Sequence, residues 1–444
     1  MNSHTMQAAH QMEAPVQLSL PAWGGAALFV LALLFAALPS GLNWEAKLSE
    51  EMMEGSWIVR LQWTSLFVCA WFLMRYIPLT TMIGHVKENW PLLVLMAFCT
   101  LSIAWSDFPG IVVKRFVQFV GVVSILVLVA SFHEEHFDRL MVATLWIALA
   151  LCGLSIVFAL AVPRIGIETA VGIEGTWKGI LGQKNQLGLF SAMSIYFTVF
   201  CLSRRVVSPL FAGVVIATCA VCLLMSRSSS SATLTVLSLS IFLLLRREFI
   251  RSFAPIVRVM LLAGLVLCVV YLGFYFVNAR FPETADILAP FAALFGKSTD
   301  LTGRGDIWEI MWRTIAKHPY LGVGYSSFWL GPGGPSQFIS DELMWTVPSA
   351  HNGYLEVINE LGWIGFALFV GMLVHHAFKL MELFRYERDT AAFHMGLLAI
   401  FLVSNFSEST ALRVLAFLQF VMLFSMIMVA ATLQRVRPWN GSHR

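Results

Sequence analysis

The sequence predicts an all-α polytopic membrane protein, with about twelve transmembrane helices and a long outer loop that carries a short amphipathic helix. Three observations predict this. Hydrophobic residues make up 58% of the 444 and charged residues only 12%, against about 25% charged in a soluble domain. The mean hydropathy is +0.76. Apolar runs also recur at the length a bilayer core demands, about 20 residues each. A net charge of +3, with no Lys/Arg-rich run and no zinc-finger spacing, leaves no footprint for nucleic acid.

In chain order, an N-terminal tail (1–21) has no Lys or Arg. The first apolar run therefore lacks a signal-peptide n-region and is expected to remain as a span. Spans follow near 22–39, 57–75, 90–106, 111–131, 140–162, 187–203, 209–225, 232–245 and 259–278. A loop over 279–353 separates these from three more, near 354–376, 391–406 and 413–433, and a tail covers 434–444. An even count places both tails on one side. Lys and Arg are denser in the loops that then share that side, among them Arg204, Arg205, Arg246, Arg247, Arg251, Arg258, Arg385 and Arg388. The positive-inside rule makes that side cytoplasmic. All seven cysteines fall in apolar runs, so no disulfide framework is expected, and Cys219-x-x-Cys222 reads as small packing residues.

The 279–353 loop is far longer than the usual connection, and long loops on rigid scaffolds tend to carry function. Within it, Ile307, Ile310, Met311, Thr314 and Ile315 recur at helical spacing. Asp306 and Glu309 suit the start of that helix, Lys317 and His318 its end, and Pro319 stops it. Two placements fit equally: in the outer headgroup layer, or as a cap over the bundle.

Residues with chemical potential gather at the outer ends of the spans. The Trp105-Ser-Asp-Phe-Pro-Gly110 turn precedes Lys114 and Arg115, which sit about 6–8 Å inside a span. Cations there mark function unless they snorkel to headgroups. Lys184 and Asn185, in GTWKGILGQKNQLG, stand where a helix begins and suit an anion, although glycine-rich loops are common. Arg227 leads a run of four serines, read either as a donor-rich pocket or as a plain polar turn. Arg304 lies between two glycines in LTGRGD. The sharpest pattern is His351-Asn352, nine residues, then Gly362-x-x-Gly365. His351 sits at the mouth of a helix, where the dipole disfavours the imidazolium and leaves a neutral proton acceptor. The two glycines suit close approach by a neighbouring helix. His133 and His136 lack zinc-protease spacing, and no tight carboxylate cluster lies outside, so no metal or other cofactor is expected.

In these motifs and their order, the chain resembles the superfamily of O-antigen ligases, O-antigen polymerases and exopolysaccharide polymerases of bacterial inner membranes. His351-Asn352…Gly362-x-x-Gly365 is the most specific element of the resemblance. WSDFP, GTWKGILGQKN, SRSSSS, LTGRGD and GVGYSSFW are similar to its other landmarks. Gln183 departs from the pattern, since exopolysaccharide-type relatives often carry histidine there.

The resemblance implies a glycosyltransferase whose site faces the periplasm. Its donor would be a polyprenyl-pyrophosphate-linked glycan, and its acceptor a hydroxyl of lipid A–core or of another glycan. His351 would be the base. Arg304 and Arg227 would hold the pyrophosphate through planar guanidinium groups. Lys184, Asn185, Arg115 and Asn352 would assist binding. Inversion and metal independence follow from a direct attack with arginines holding the leaving group. The rival reading, a lipid-glycan flippase or transporter, would want charge lining a path through the bilayer instead.

Overall fold

A computed structural model describes residues 20–39, 56–133, 137–169, 173–246 and 304–437. The expected span at 259–278, the first part of the long loop (279–303), and most of both tails (1–19 and 438–444) lie outside these. The described residues are helical almost throughout, with a single isolated β-bridge between Ile167 and Trp177. We label the helices α1 (Leu20–Ala37), α2 (Trp57–Met74), α3 (Leu79–Glu88), α4 (Trp90–Leu101), α5 (Pro109–His133) and α6 (Phe137–Ala161). Then come α7 (Lys184–Ser203), α8 (Pro209–Met225), α9 (Ser229–Leu245), α10 (Arg304–Ile315) and α11 (Gln337–Leu343). The chain closes with α12 (Gly353–Tyr386), α13 (Arg388–Ser404) and α14 (Phe417–Val436).

Every expected span inside the described residues coincides with a helix, because apolar runs of this length must satisfy their own backbone polar groups in lipid. Length separates them. Six helices, α2, α5, α6, α7, α12 and α14, are long and apolar enough to cross a bilayer. Helices α1, α8 and α9 are apolar but shorter. Helix α3 is absent from the hydropathy reading. It meets α4 at 84°, and the two pass the length test only as a bent pair. Helix α14 is the hub: 94% of its apolar window is buried, and it packs on α1, α3, α5, α12 and α13. At its far end, Arg437 makes a two-pronged pair with Glu382 of α12 (2.7 and 2.8 Å) and reaches Glu88 of α3 at 2.6 Å. Planar forks of this kind fix geometry as well as charge.

Two features shape the opposite end of the bundle, where α12 begins. The amphipathic helix α10 resolves as a cap. Its Ile307, Ile310, Met311 and Ile315 are buried in a second small core with Phe328, Ile339, Val347, Leu355 and Ile358. Asp306, Glu309 and Arg313 face outward, and of its large apolar residues Trp312 is exposed, stacked on Trp363 at 6.4 Å.

Helix α12 is broken at Gly362 (φ 65, ψ −174). The chain at 319–324 lies in the break and takes over the released backbone groups. Trp363 N–H donates to Pro319 O at 2.8 Å, while Asn359 O and Glu360 O accept from Val323 and Gly324 at 3.1 and 2.8 Å. Interrupted helices are tolerated in membranes when the freed groups are paired in this way. A Cβ at Gly362 would meet the Tyr320 carbonyl at 2.2 Å. Gly362 therefore admits a loop rather than a helix. Gly365 matches the expected close approach, its Cβ position facing Phe98 of α4 at 3.1 Å.

Candidate active site

His351 occupies the last turn before α12, in the left-handed region (φ 50). A non-glycine residue there is uncommon, and such strain concentrates at functional sites. Neighbours on both sides hold it. Trp308 of the cap donates Nε1–H to Ala350 O at 2.8 Å. Ala350 N–H donates to Glu356 Oε1 at 2.9 Å. Asn352 follows as the N-cap of α12, its Oδ1 accepting from Tyr354 and Leu355 N–H, both at 3.1 Å. That carbonyl is thereby committed to the helix end.

The loop after α13 forms the facing wall. Asn405 builds it: Oδ1 accepts from Thr410 N–H (3.1 Å) and Ala411 N–H (2.8 Å), and Nδ2 donates to Phe401 O. The wall is bolted to the site by Asn352 N–H donating to Ser409 Oγ (3.1 Å) and Gly353 N–H to Asn405 O (2.9 Å). Gly353 must be glycine, because a Cβ would meet Asn405 Oδ1 at 2.1 Å.

This wall contributes two residues that the sequence reading passed over. Glu408 accepts from Asn185 Nδ2 at 2.9 Å and lies 4.0 Å from the Arg304 guanidinium. Burial raises its pKa, with Arg304 and Asn185 opposing. Arg413 pairs with Glu356 of α12 at 2.9 Å, and the Glu356 carboxylate is 2% exposed. A carboxylate inside an apolar span was the available signal for Glu356. For Glu408 there was only a polar run between two spans.

The His351 imidazole is mostly buried, and its Nδ1 has no hydrogen-bond partner among the described residues. Burial, then Arg304, then Arg413 push its pKa down to about 4. The neutral form expected from sequence follows, with burial rather than the helix end as the leading cause. Arg304, Asn185, Glu408, Arg413 and His351 thus form one group drawn from four separate stretches of chain.

Other landmarks meet nearby. Trp105 Nε1–H donates to Leu321 O at 3.1 Å, Ser106 and Ser327 hydroxyls meet at 3.1 Å, and Ser326 N–H donates to Glu360 Oε2 at 2.8 Å. The WSDFP and GVGYSSFW segments therefore support one another beside α12. Lys184 opens α7, and its N–H donates to Glu168 Oε1 at 3.3 Å.

Arg227 also sits in the left-handed region (φ 49), exposed, in the turn between α8 and α9. That turn seats on α7: a Cβ on Gly188 would meet Ser226, Ser228 and Ser231 within 2.9 Å. Ser228 and Ser231 hydroxyls bond each other at 2.9 Å, and Ser226 bonds Leu223 O. Those serines build the turn, the plainer of the two expected roles. Arg227 has no side-chain partner among the described residues and does not touch the Arg304 group. Arg115 stands apart as well, donating to Gln118 Oε1 at 3.3 Å with its Nε buried and unpartnered among the described residues.

Comparison with known proteins agrees with the motifs. The O-antigen ligase family model matches residues 212–370, a stretch that contains Arg227, Arg304, His351 and Asn352. The exopolysaccharide production protein ExoQ of Rhizobium meliloti (strain 1021) is 25% identical over 349 residues, 76% of each chain. In these matches the chain is similar, over its second half, to the O-antigen ligase family and, across most of its length, to an exopolysaccharide production protein.

Proposed function

We propose that the protein is an inverting, metal-independent glycosyltransferase of the polymerase or ligase type. It would transfer a glycan from a polyprenyl-pyrophosphate donor to an acceptor hydroxyl at the periplasmic face of the inner membrane. One observation carries the reading: a neutral, strained histidine with an unpartnered ring nitrogen lies in the field of Arg304 and Arg413.

The chemistry follows from the charges. As the acceptor oxygen bonds to the anomeric carbon, its proton passes to His351 and the carbon–oxygen bond to pyrophosphate breaks. Charge developing on the leaving pyrophosphate falls to Arg304, with Arg227 closing from the α8–α9 turn and Lys184 at the α7 N-terminus. An anion beside Arg304 also offsets the field that depresses His351. The base thus strengthens when the donor is bound.

Polymerisation is favoured over ligation by the likeness to an exopolysaccharide production protein across most of the chain. The rival, a flippase or transporter, would want its charge lining a path through the bilayer, whereas these groups cluster at one end of the bundle.

The deciding experiment uses His351→Ala on purified, monodisperse protein. Transfer should fall about 10²–10⁴-fold, the range for a general base, while donor binding persists through the arginines. Transfer at the wild-type rate per folded molecule removes His351 as the base.

A further inference from the structure

Leu412, in the connector between α13 and α14, stands in the left-handed region (φ 59) with its side chain buried. A bulky residue there is a true outlier, and it persists only where its surroundings impose it. Two buried polar side chains impose it. Tyr325 donates its hydroxyl to Leu412 O at 2.9 Å, and Leu412 N–H donates to Gln419 Oε1 at 3.0 Å. Gln419 Nε2 is buried with no partner among the described residues. An orphaned buried donor is costly, so this amide is kept for its oxygen.

Both arms of the clamp stand on rigid parts of the fold. Tyr325 follows the segment that fills the break in α12. Its N–H donates to Ser102 Oγ, just past α4, at 3.0 Å, and its ring lies 6.1 Å from Phe119 of α5. Gln419 sits in the first turn of the hub helix α14.

The residue after Leu412 is Arg413, whose backbone is tied on both sides. Its N–H donates to Thr410 O at 3.1 Å, and its carbonyl accepts from Ala416 N–H at 2.8 Å. Fixing Leu412 therefore fixes the point from which the Arg413 side chain reaches Glu356. The charged groups around His351 are Arg304 on α10, Arg413 and Glu408 on the connector, and Glu356 on α12. Arg413 is one of the two cations whose field keeps the imidazole neutral.

We infer that Tyr325 and Gln419 are positioning residues: by pinning Leu412 in its strained turn, they set where Arg413 stands relative to His351. Their part in catalysis rests on the proposed glycosyl transfer; their effect on the imidazole does not. Three segments distant in sequence thus converge on one peptide unit to tune the base.

The test follows the His351 imidazole by 13C-histidine NMR from pH 7 down to about 3 in full-length protein in detergent, its resonance identified by loss in His351→Gln. Tyr325→Phe removes one oxygen and keeps the ring on Phe119; Gln419→Met severs the other arm. Neither alters a charge. Each should raise the midpoint by about half a pH unit, the scale expected when a cation retreats by about 2 Å. Loosened packing could raise it too, by admitting water. Glu356→Gln with Arg413→Gln removes the charge and keeps an amide pair, and in that background Tyr325→Phe should move nothing. An unmoved midpoint in a folded single variant makes the clamp a brace for the fold alone and overturns the inference. An equal rise in both backgrounds assigns the effect to water and overturns it as well. Should one single variant not fold, the other decides. The titration needs no donor, so the two readings fail separately. A shifted midpoint with wild-type transfer in His351→Ala leaves the clamp standing and removes the base. His351-dependent transfer with an unmoved midpoint does the converse.

Discussion

Asn185 donates its amide to Glu408 at 2.9 Å, and Glu408 in turn faces the Arg304 guanidinium at 4.0 Å. A carboxylate between two donors is an internal stand-in for an anionic ligand. On the proposed donor reading it would hold Arg304 and Asn185 in place before the pyrophosphate arrives and compete with it afterwards. Replacing Glu408 by Gln keeps an acceptor for Asn185 and removes the competing charge. The donor KM should fall about threefold to fivefold, consistent with a pair of modest strength, with kcat unchanged or lower as product leaves more slowly. A raised donor KM would show that Glu408 helps to bind the donor.

The pH dependence has a defined sign. In the free protein His351 is neutral above about 4, so kcat/KM should stay flat from pH 8 down to about 5 and fall only below that. Bound pyrophosphate offsets the Arg304 field, so the acid limb of kcat should lie at higher pH than that of kcat/KM. Arg304→Gln removes one depressing charge and should move the free-enzyme limb upward. Coincident limbs in the wild-type protein would mean that donor binding does not tune the base.

Gly362 makes a structural prediction. Its φ of 65 and the Tyr320 carbonyl 2.2 Å from any Cβ act together. Gly362→Ala should cost about 2–5 kcal/mol, combining strain and overpacking. The cost should appear as a lower melting temperature in detergent. Gly371→Ala, where nothing lies within 4 Å of a built Cβ, is the control and should be neutral or slightly stabilising.

The apolar helices were legible because a bilayer demands long apolar runs and hydropathy measures that demand, although six of them are long and apolar enough to cross alone. His351, Arg304 and Asn185 were legible because polar residues at span ends need a reason. What stayed hidden depends on contacts across the chain. Glu408 and Arg413 sit in a short polar connector that reads as any other, and only Asn405 folding that loop back on Gly353 makes it a wall of the site. The Gly362 break was hidden for a related cause: glycine in a helix signals close packing and open backbone equally. The segment at 319–324 decides between them. Helix α3 carries mixed polarity and reads as a connector until its 84° meeting with α4 is seen.

Sidedness follows from the same charges and is open to labelling. Met344 is 89% exposed, at the end of α11 beside the cap, and Arg385 is exposed at the far end of α12. A cysteine at Met344 should react with a membrane-impermeant maleimide from the periplasmic side of spheroplasts, and one at Arg385 only after lysis. Both belong in a background with Cys69, the one exposed native cysteine among the described residues, replaced. The opposite pattern would put His351 on the cytoplasmic side and end the proposed reaction.

Glu356 and Arg413 join the two walls of the site, and the Glu356 carboxylate also anchors Ala350 N–H one residue before His351. Removing one member leaves the other charge buried without compensation, which costs more than the pair contributes. Arg413→Ala strands the buried Glu356 and should destabilise by about 3–5 kcal/mol. Arg413 meets both carboxylate oxygens through one nitrogen, Nη2, so Arg413→Lys keeps the charge on a shorter, differently placed donor and should recover the fold more fully than the activity. A second readout separates anchoring from bulk stability. If Glu356 positions His351 through Ala350, Arg413→Lys should lower kcat with little change in donor KM at a temperature where the variant is fully folded. Activity falling only in step with the folded fraction would assign the pair to stability alone.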